Sequence, residues 1–124
     1  MSTNESVTVT VTDENFAREI EQHSGLAVVD FGVAWCGPCR MMAPIVDQLA
    51  RQYAGRVKIG KLDVETNPQM TTRFEVRSLP TILFFTDGAL VSSIVGAVPK
   101  STLERRIEEQ LGSSRDAPVL DRAG

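Results

Sequence analysis

The chain has 124 residues, 42% hydrophobic and 23% charged, an ordinary globular composition within the size range of one domain. Thirteen basic and 16 acidic residues leave a net charge of -3, and the basic residues are scattered, which argues against nucleic acid as a partner. No apolar run reaches the roughly 18 to 20 residues of a membrane span, and the opening MSTNESVTVT lacks the basic and apolar stretches of a signal peptide, so a cytoplasmic, membrane-free protein is expected.

From Ser6 to Val11 valine alternates with threonine, the period-2 pattern of a half-buried strand. Asp13 to about His23 reads as a short amphipathic helix with Phe16, Ala17 and Ile20 inward, closed by Ser24-Gly25. Leu26 to Phe31 is a nearly continuous apolar run, as in a central strand buried on both faces, and Asp30 is the odd residue within it. Met42, Ile45, Val46, Leu49, Ala50 and Tyr53 recur at helical spacing, which predicts a long helix over 37–53, kinked at Pro44 and ended by Gly55. Val57 to Val64 is a further strand, Asn67-Pro68 an N-cap followed by proline, and 68–74 a short helix. Thr81 to Phe85 and Ala89 to Val95 are strands joined by an Asp87-Gly88 hairpin turn. Ser101 and Glu104 form a capping box for a last helix with Leu103, Ile107 and Leu111 inward.

This order, β-α-β-α-β-α-β-β-α, predicts one α/β domain over 6–111: a central mixed five-stranded sheet flanked by four helices. A flexible N-terminus at 1–5 and a mobile tail at 112–124 are expected outside it. A monomer is expected, because the chain has no heptad seam.

The chemistry lies in Trp35-Cys36-Gly37-Pro38-Cys39, which follows a buried strand and opens the long helix. A chain of this length folds without disulfide staples, so its two cysteines are not needed as scaffolding. Two intervening residues let both sulfurs meet in the first helical turn as a small disulfide ring. Cys36 falls where unpaired N–H groups and the helix dipole favour a thiolate, and Cys39, deeper in the helix, suits resolution of a mixed disulfide. Pro38 stiffens the turn, and Gly37 lets a partner chain approach Cys36. A closed zinc site would need two more ligands, and the chain offers no third cysteine and only His23, so no metal is expected. The blander alternative is a pair of inert core cysteines. Met41 and Met42 read as core and rim packing, and His23 as a partner of a helix C-terminus or of solvent.

Together with Val29-Asp30-Phe31, Ala43-Pro44, Leu62-Asp63, Leu79-Pro80-Thr81 and Val95-Gly96-Ala97, this motif resembles the thioredoxin family in order and spacing over about 6–111. The resemblance implies a thioredoxin fold and a protein-disulfide reductase, with Cys36 as nucleophile and Cys39 as resolving thiol. It implies that Asp30 is a buried carboxylate handling the proton of the buried thiol, with Lys61 its neighbour. Burial would raise the pKa of Asp30 and Lys61 would oppose this; the sequence leaves the balance open. It further implies a cis peptide bond at Leu79-Pro80 and an apolar groove for protein substrates framed by Trp35, Pro80, Gly96 and Ala97. The chain would bind no cofactor of its own: its Cys36-Cys39 disulfide would be recharged by a flavin-containing thioredoxin reductase that consumes NADPH. Two residues depart from the family pattern. Gly32 stands where tryptophan is common, which could loosen packing, widen access to Cys39 or alter partner choice, and Ala34 stands where an acid is usual. Competing functions are a disulfide oxidase or isomerase of an oxidising compartment, and a non-enzymatic interaction module of the same fold.

Overall fold

The computed structural model describes residues 7–116. The flexible terminus expected at 1–5 lies outside the described residues, as does the expected 112–124 tail from 117 on, whereas its residues 112–116 are the end of the last helix and not a mobile tail. The elements are β1 (Val9–Thr10), a single wide π-helical turn (Ala17–Glu21), β2 (Leu26–Gly32), α1 (Gly37–Gln52), β3 (Lys58–Asp63), α2 (Pro68–Arg73), β4 (Thr81–Thr86), β5 (Ala89–Val95) and α3 (Lys100–Asp116). The strands form one mixed sheet in the order β1-β3-β2-β4-β5. β1, β3 and β2 are parallel, and β4 and β5 continue antiparallel from β2. This is the α/β architecture expected from the element order, with helical segments on both faces.

Alternation along the strands sorts the core into two layers. Leu26, Val28, Ile59, Ile82 and Phe84 meet Met42, Val46 and Leu49 of α1 and Leu103 and Ile107 of α3. On the other face Ala27, Val29, Phe31, Leu83 and Phe85 meet Phe16 and Ile20. There Phe16, Phe74 and Phe85 stack with ring centroids 5.3 to 5.6 Å apart. β2 is the hinge of this arrangement, buried from Leu26 to Phe31. Its register pairs Asp30 with Lys61, and alternation puts both on the α1 face.

Four local expectations change. β1 spans two residues instead of six. It lies so close to β3 that a Cβ on Gly60 would meet Val11 Cγ2 at 2.6 Å. The first helix is only the turn at Ala17–Glu21, closed by Gln22 N–H donating to Ala17 O at 2.9 Å. Thr12 caps the entry to that segment, its Oγ1 accepting from Asn15 N–H at 3.0 Å and its own N–H donating to Asn15 Oδ1 at 2.7 Å, whereas the Asp13 carboxylate accepts from Gln69 N–H at 3.0 Å and Met70 N–H at 2.9 Å and so caps α2. Asn67 holds the N-cap position of α2, but its Oδ1 accepts from Asp13 N–H at 2.8 Å. Asp13 and Asn67 are thus tied to each other's segments across more than fifty residues of chain. Finally, α3 starts at Lys100 and runs through Gly112 to Asp116, which places Ser101 inside the helix and removes the capping box. Glu104 instead accepts from Gln52 Nε2 at 2.9 Å, tying α3 to α1.

Asp13→Ala leaves two α2 amides uncapped, and a destabilisation of about 1 to 2 kcal/mol is expected in urea unfolding. A variant as stable as the parent would contradict this role.

Candidate active site

After β2 the chain turns through Val33 and Trp35 into α1. Cys36 caps that helix in an extended conformation (φ -87°, ψ 122°), so its sulfur faces amides that have no partner within the helix. Cys39 N–H donates to Cys36 Sγ at 3.3 Å. Cys36 N–H donates to Val33 O, also at 3.3 Å. Pro38 lies in the first turn, where a missing N–H costs little. Both cysteines are free thiols, with Cys36 half-buried and Cys39 buried. Burial, reinforced by the hydrogen bond with Cys36, pushes the Cys39 thiol up to about 11.

Beneath the cysteines, Asp30 is 7% exposed and its Oδ1 has no hydrogen-bond partner. Burial pushes its carboxyl up to about 6 against the opposing charge of Lys61. Desolvation therefore outweighs the lysine. Lys61 Nζ pairs instead with Asp47 Oδ1 at 3.1 Å, an oxygen that also accepts from Thr8 Oγ1 at 3.0 Å.

The residues expected to frame a groove gather at one end of the sheet. Thr81 is paired with Phe31 on one side and Val95 on the other, so Pro80 and Gly96 flank the point where the chain leaves β2 for the cysteines. The Leu79-Pro80 bond is cis. Pro80 is buried, and its carbonyl accepts from Gly96 N–H at 2.8 Å. Leu79 and Gly96 are half-buried, whereas Gly37, Pro38 and Ala97 are exposed. Trp35 is 67% exposed, and its ring N–H donates to Glu65 Oε2 at 2.9 Å.

Sequence reasoning singled out neither Glu65 nor Asp47. Each reads as an ordinary surface carboxylate, and only the approach of β3 and α1 to the site gives them partners. Gly32 has a visible consequence: a cleft of about 280 Å³ opens beside Cys39, lined in part by Asp30, Gly32, Ala34, Ala43 and Lys61. A Cβ at Gly32 would sit 3.0 Å from Cys39 Sγ, so any side chain at this position would press on the sulfur. Among the described residues no group of three or more His, Cys, Asp or Glu is placed to hold a metal ion.

The sequence profile of the Thioredoxin family matches residues 7–109. The chain belongs to the thioredoxin family. It is 44% identical over 106 residues to Thioredoxin 1 of Synechococcus elongatus, covering 86% of this chain and 99% of that protein. Thioredoxin of Staphylococcus saprophyticus is 48% identical over 103 residues, covering 83% and 97% of the two chains. The chloroplastic M-type thioredoxin of Pisum sativum is 49% identical over 84 residues, which are 68% of this chain and 49% of that one. As a member of this family the chain is a thiol-disulfide oxidoreductase, a protein-disulfide reductase. The oxidase, isomerase and interaction-module alternatives are not favoured.

Asp30 also sets a pH dependence of stability. Its carboxyl holds a proton up to about 6 when folded, against 3.8 for an ordinary aspartate. Between those values the folded state binds more protons than the unfolded, so stability falls as pH rises and the loss is complete above the folded value. Asp30→Asn is expected to be more stable than the parent at pH 8 by about 2 to 3 kcal/mol, with the difference vanishing below pH 4. Urea unfolding at several pH values measures this; a variant less stable than the parent at pH 8 would contradict it.

Proposed function

We propose that the reduced chain attacks disulfides of protein substrates through Cys36. The observation that carries this reading is the contrast between the two sulfurs: Cys36 stands at the mouth of α1 and accepts an amide hydrogen, and Cys39 lies buried behind it. The Cys36 thiolate bonds to one substrate sulfur, and the substrate disulfide breaks with its electron pair leaving on the other. Cys39 then gives up its proton and attacks Cys36 Sγ, releasing the second substrate sulfur and forming Cys36–Cys39. Asp30 is the acceptor for that proton, being the buried carboxylate beside the cleft that Cys39 also lines. Lys61, held by Asp47, moderates the charge that Asp30 gains.

Substrate segments lie across Trp35, Gly37, Pro38, Leu79, Pro80, Gly96 and Ala97. Glu65 fixes the Trp35 ring from behind. A thioredoxin reductase drawing on NADPH returns the disulfide to the dithiol, so the chain needs no bound cofactor. The protein works as a monomer in the cytoplasm. No helix among the described residues is long and apolar enough to cross a membrane.

Insulin reduction with NADPH and thioredoxin reductase, with dithiothreitol replacing the enzyme in parallel, tests this reading. Turnover in both systems is expected, with loss of at least about a hundredfold in Cys36→Ser. Cys39→Ser is expected to accumulate a mixed disulfide on Cys36. Turnover with dithiothreitol alone would overturn the reductase assignment, and Cys36→Ser activity equal to the parent would overturn the role of Cys36.

A further inference from the structure

β4 opens beside the substrate groove with a residue whose side chain the proposed chemistry does not use. Thr81 pairs with Phe31 of β2 and Val95 of β5, and it is 6% exposed. Strand alternation turns its side chain to the face that holds Phe31, Leu83 and Phe85. A hydroxyl buried there needs a partner, and it donates to Ser78 O at 2.6 Å. Valine has the same shape and would fill that place equally well, so packing alone does not call for the hydroxyl. Its bond closes a turn over 78–81 and ties the exposed Ser78 to the first residue of β4. At the other end of the turn Pro80 O accepts from Gly96 N–H at 2.8 Å. The carbonyls before and after Leu79 are therefore fixed. Among the described residues, the N–H and C=O of Leu79 itself have no hydrogen-bond partner.

We infer that Thr81 is a positioning residue for protein substrates: by holding Ser78 O, its hydroxyl fixes the turn that presents the unpaired peptide groups of Leu79 to an extended substrate chain. The inference rests on the substrate groove proposed above and deepens it. A substrate strand gains from pairing with a peptide already held in one conformation, and part of that gain is lost when the turn must first be ordered. Without the hydroxyl, water takes the carbonyl of the exposed Ser78, and the turn is held from the Gly96 side alone. Binding of a polypeptide then weakens while the sulfur chemistry is unchanged. A small disulfide has no peptide to pair and does not register the loss.

The test compares the full-length parent, Thr81→Val and Thr81→Ser on insulin and on bis(2-hydroxyethyl) disulfide, with NADPH and saturating thioredoxin reductase. In Thr81→Val the insulin KM is expected to rise about fivefold to tenfold with kcat within about twofold of the parent, and the small disulfide is reduced at the parent's rate. Thr81→Ser keeps the hydroxyl and is expected to retain the parent's KM. Both KM and the ratio of insulin to small-disulfide turnover are independent of the folded fraction, so a less stable variant still decides the matter. An unchanged insulin KM in Thr81→Val, an equal rise in Thr81→Ser, or a turnover ratio equal to the parent's at low insulin would overturn the proposal. Cys36→Ser is run beside them. Insulin turnover that survives it would strike the reading beneath the proposal, whereas an unchanged KM with that dependence intact strikes only the role of Thr81.

Discussion

The site depends on one gradient: within a single turn of helix, the environment of a sulfur changes from helix mouth to protein interior. Cys36 is the residue before α1 and Cys39 is three positions on, so helix geometry points one sulfur at free amides and the other at the sheet. The same peptide N–H that belongs to Cys39 donates to Cys36 Sγ, so the polar environment of one sulfur is supplied by the backbone of the other. Burial meanwhile disfavours the charged form of Cys39. Chemical difference between two identical side chains thus follows from where a helix begins.

A buried carboxylate is costly for folding, and the structure keeps one beneath the two cysteines. Asp30 occupies the middle of β2 among residues that are otherwise apolar, with no partner for Oδ1. Hydrophobic neighbours on both sides of the sheet hold the strand in place despite this. Lys61 is adjacent in register, yet Asp47 takes its ammonium group, so the opposing charge is present without neutralising Asp30. Stability and the proton transfer proposed for Asp30 pull in opposite directions at this residue.

The chemistry was legible because it is local. Cys36, Pro38 and Cys39 carry their spacing and their helix start in one short string, and the runs at 26–31 and 81–85 could hardly be anything but inner strands. Asp30 stood out because a charge inside such a run has no bland explanation in the strand pattern alone. What could not be read depends on partners far along the chain. Asp13 and Asn67 each looked like a cap for its own segment, and neither sequence neighbourhood says that Asp13 caps α2 instead. Asp47 and Glu65 resemble solvent-facing acids until α1 and the end of β3 are brought to the site. Gly32 was visible as a departure from a family pattern, but that it lies directly against Cys39 depends on the backbone separation of β2 and α1.

The measurement that bears most directly on this account is alkylation of the reduced chain by iodoacetamide at a series of pH values, with the modified cysteine located by peptide mapping. Modification confined to Cys36 through neutral and mildly alkaline pH, with Cys39 joining only as pH approaches about 11, is the predicted result. Equal modification of the two thiols at pH 8, or Cys39 reacting first, would contradict it.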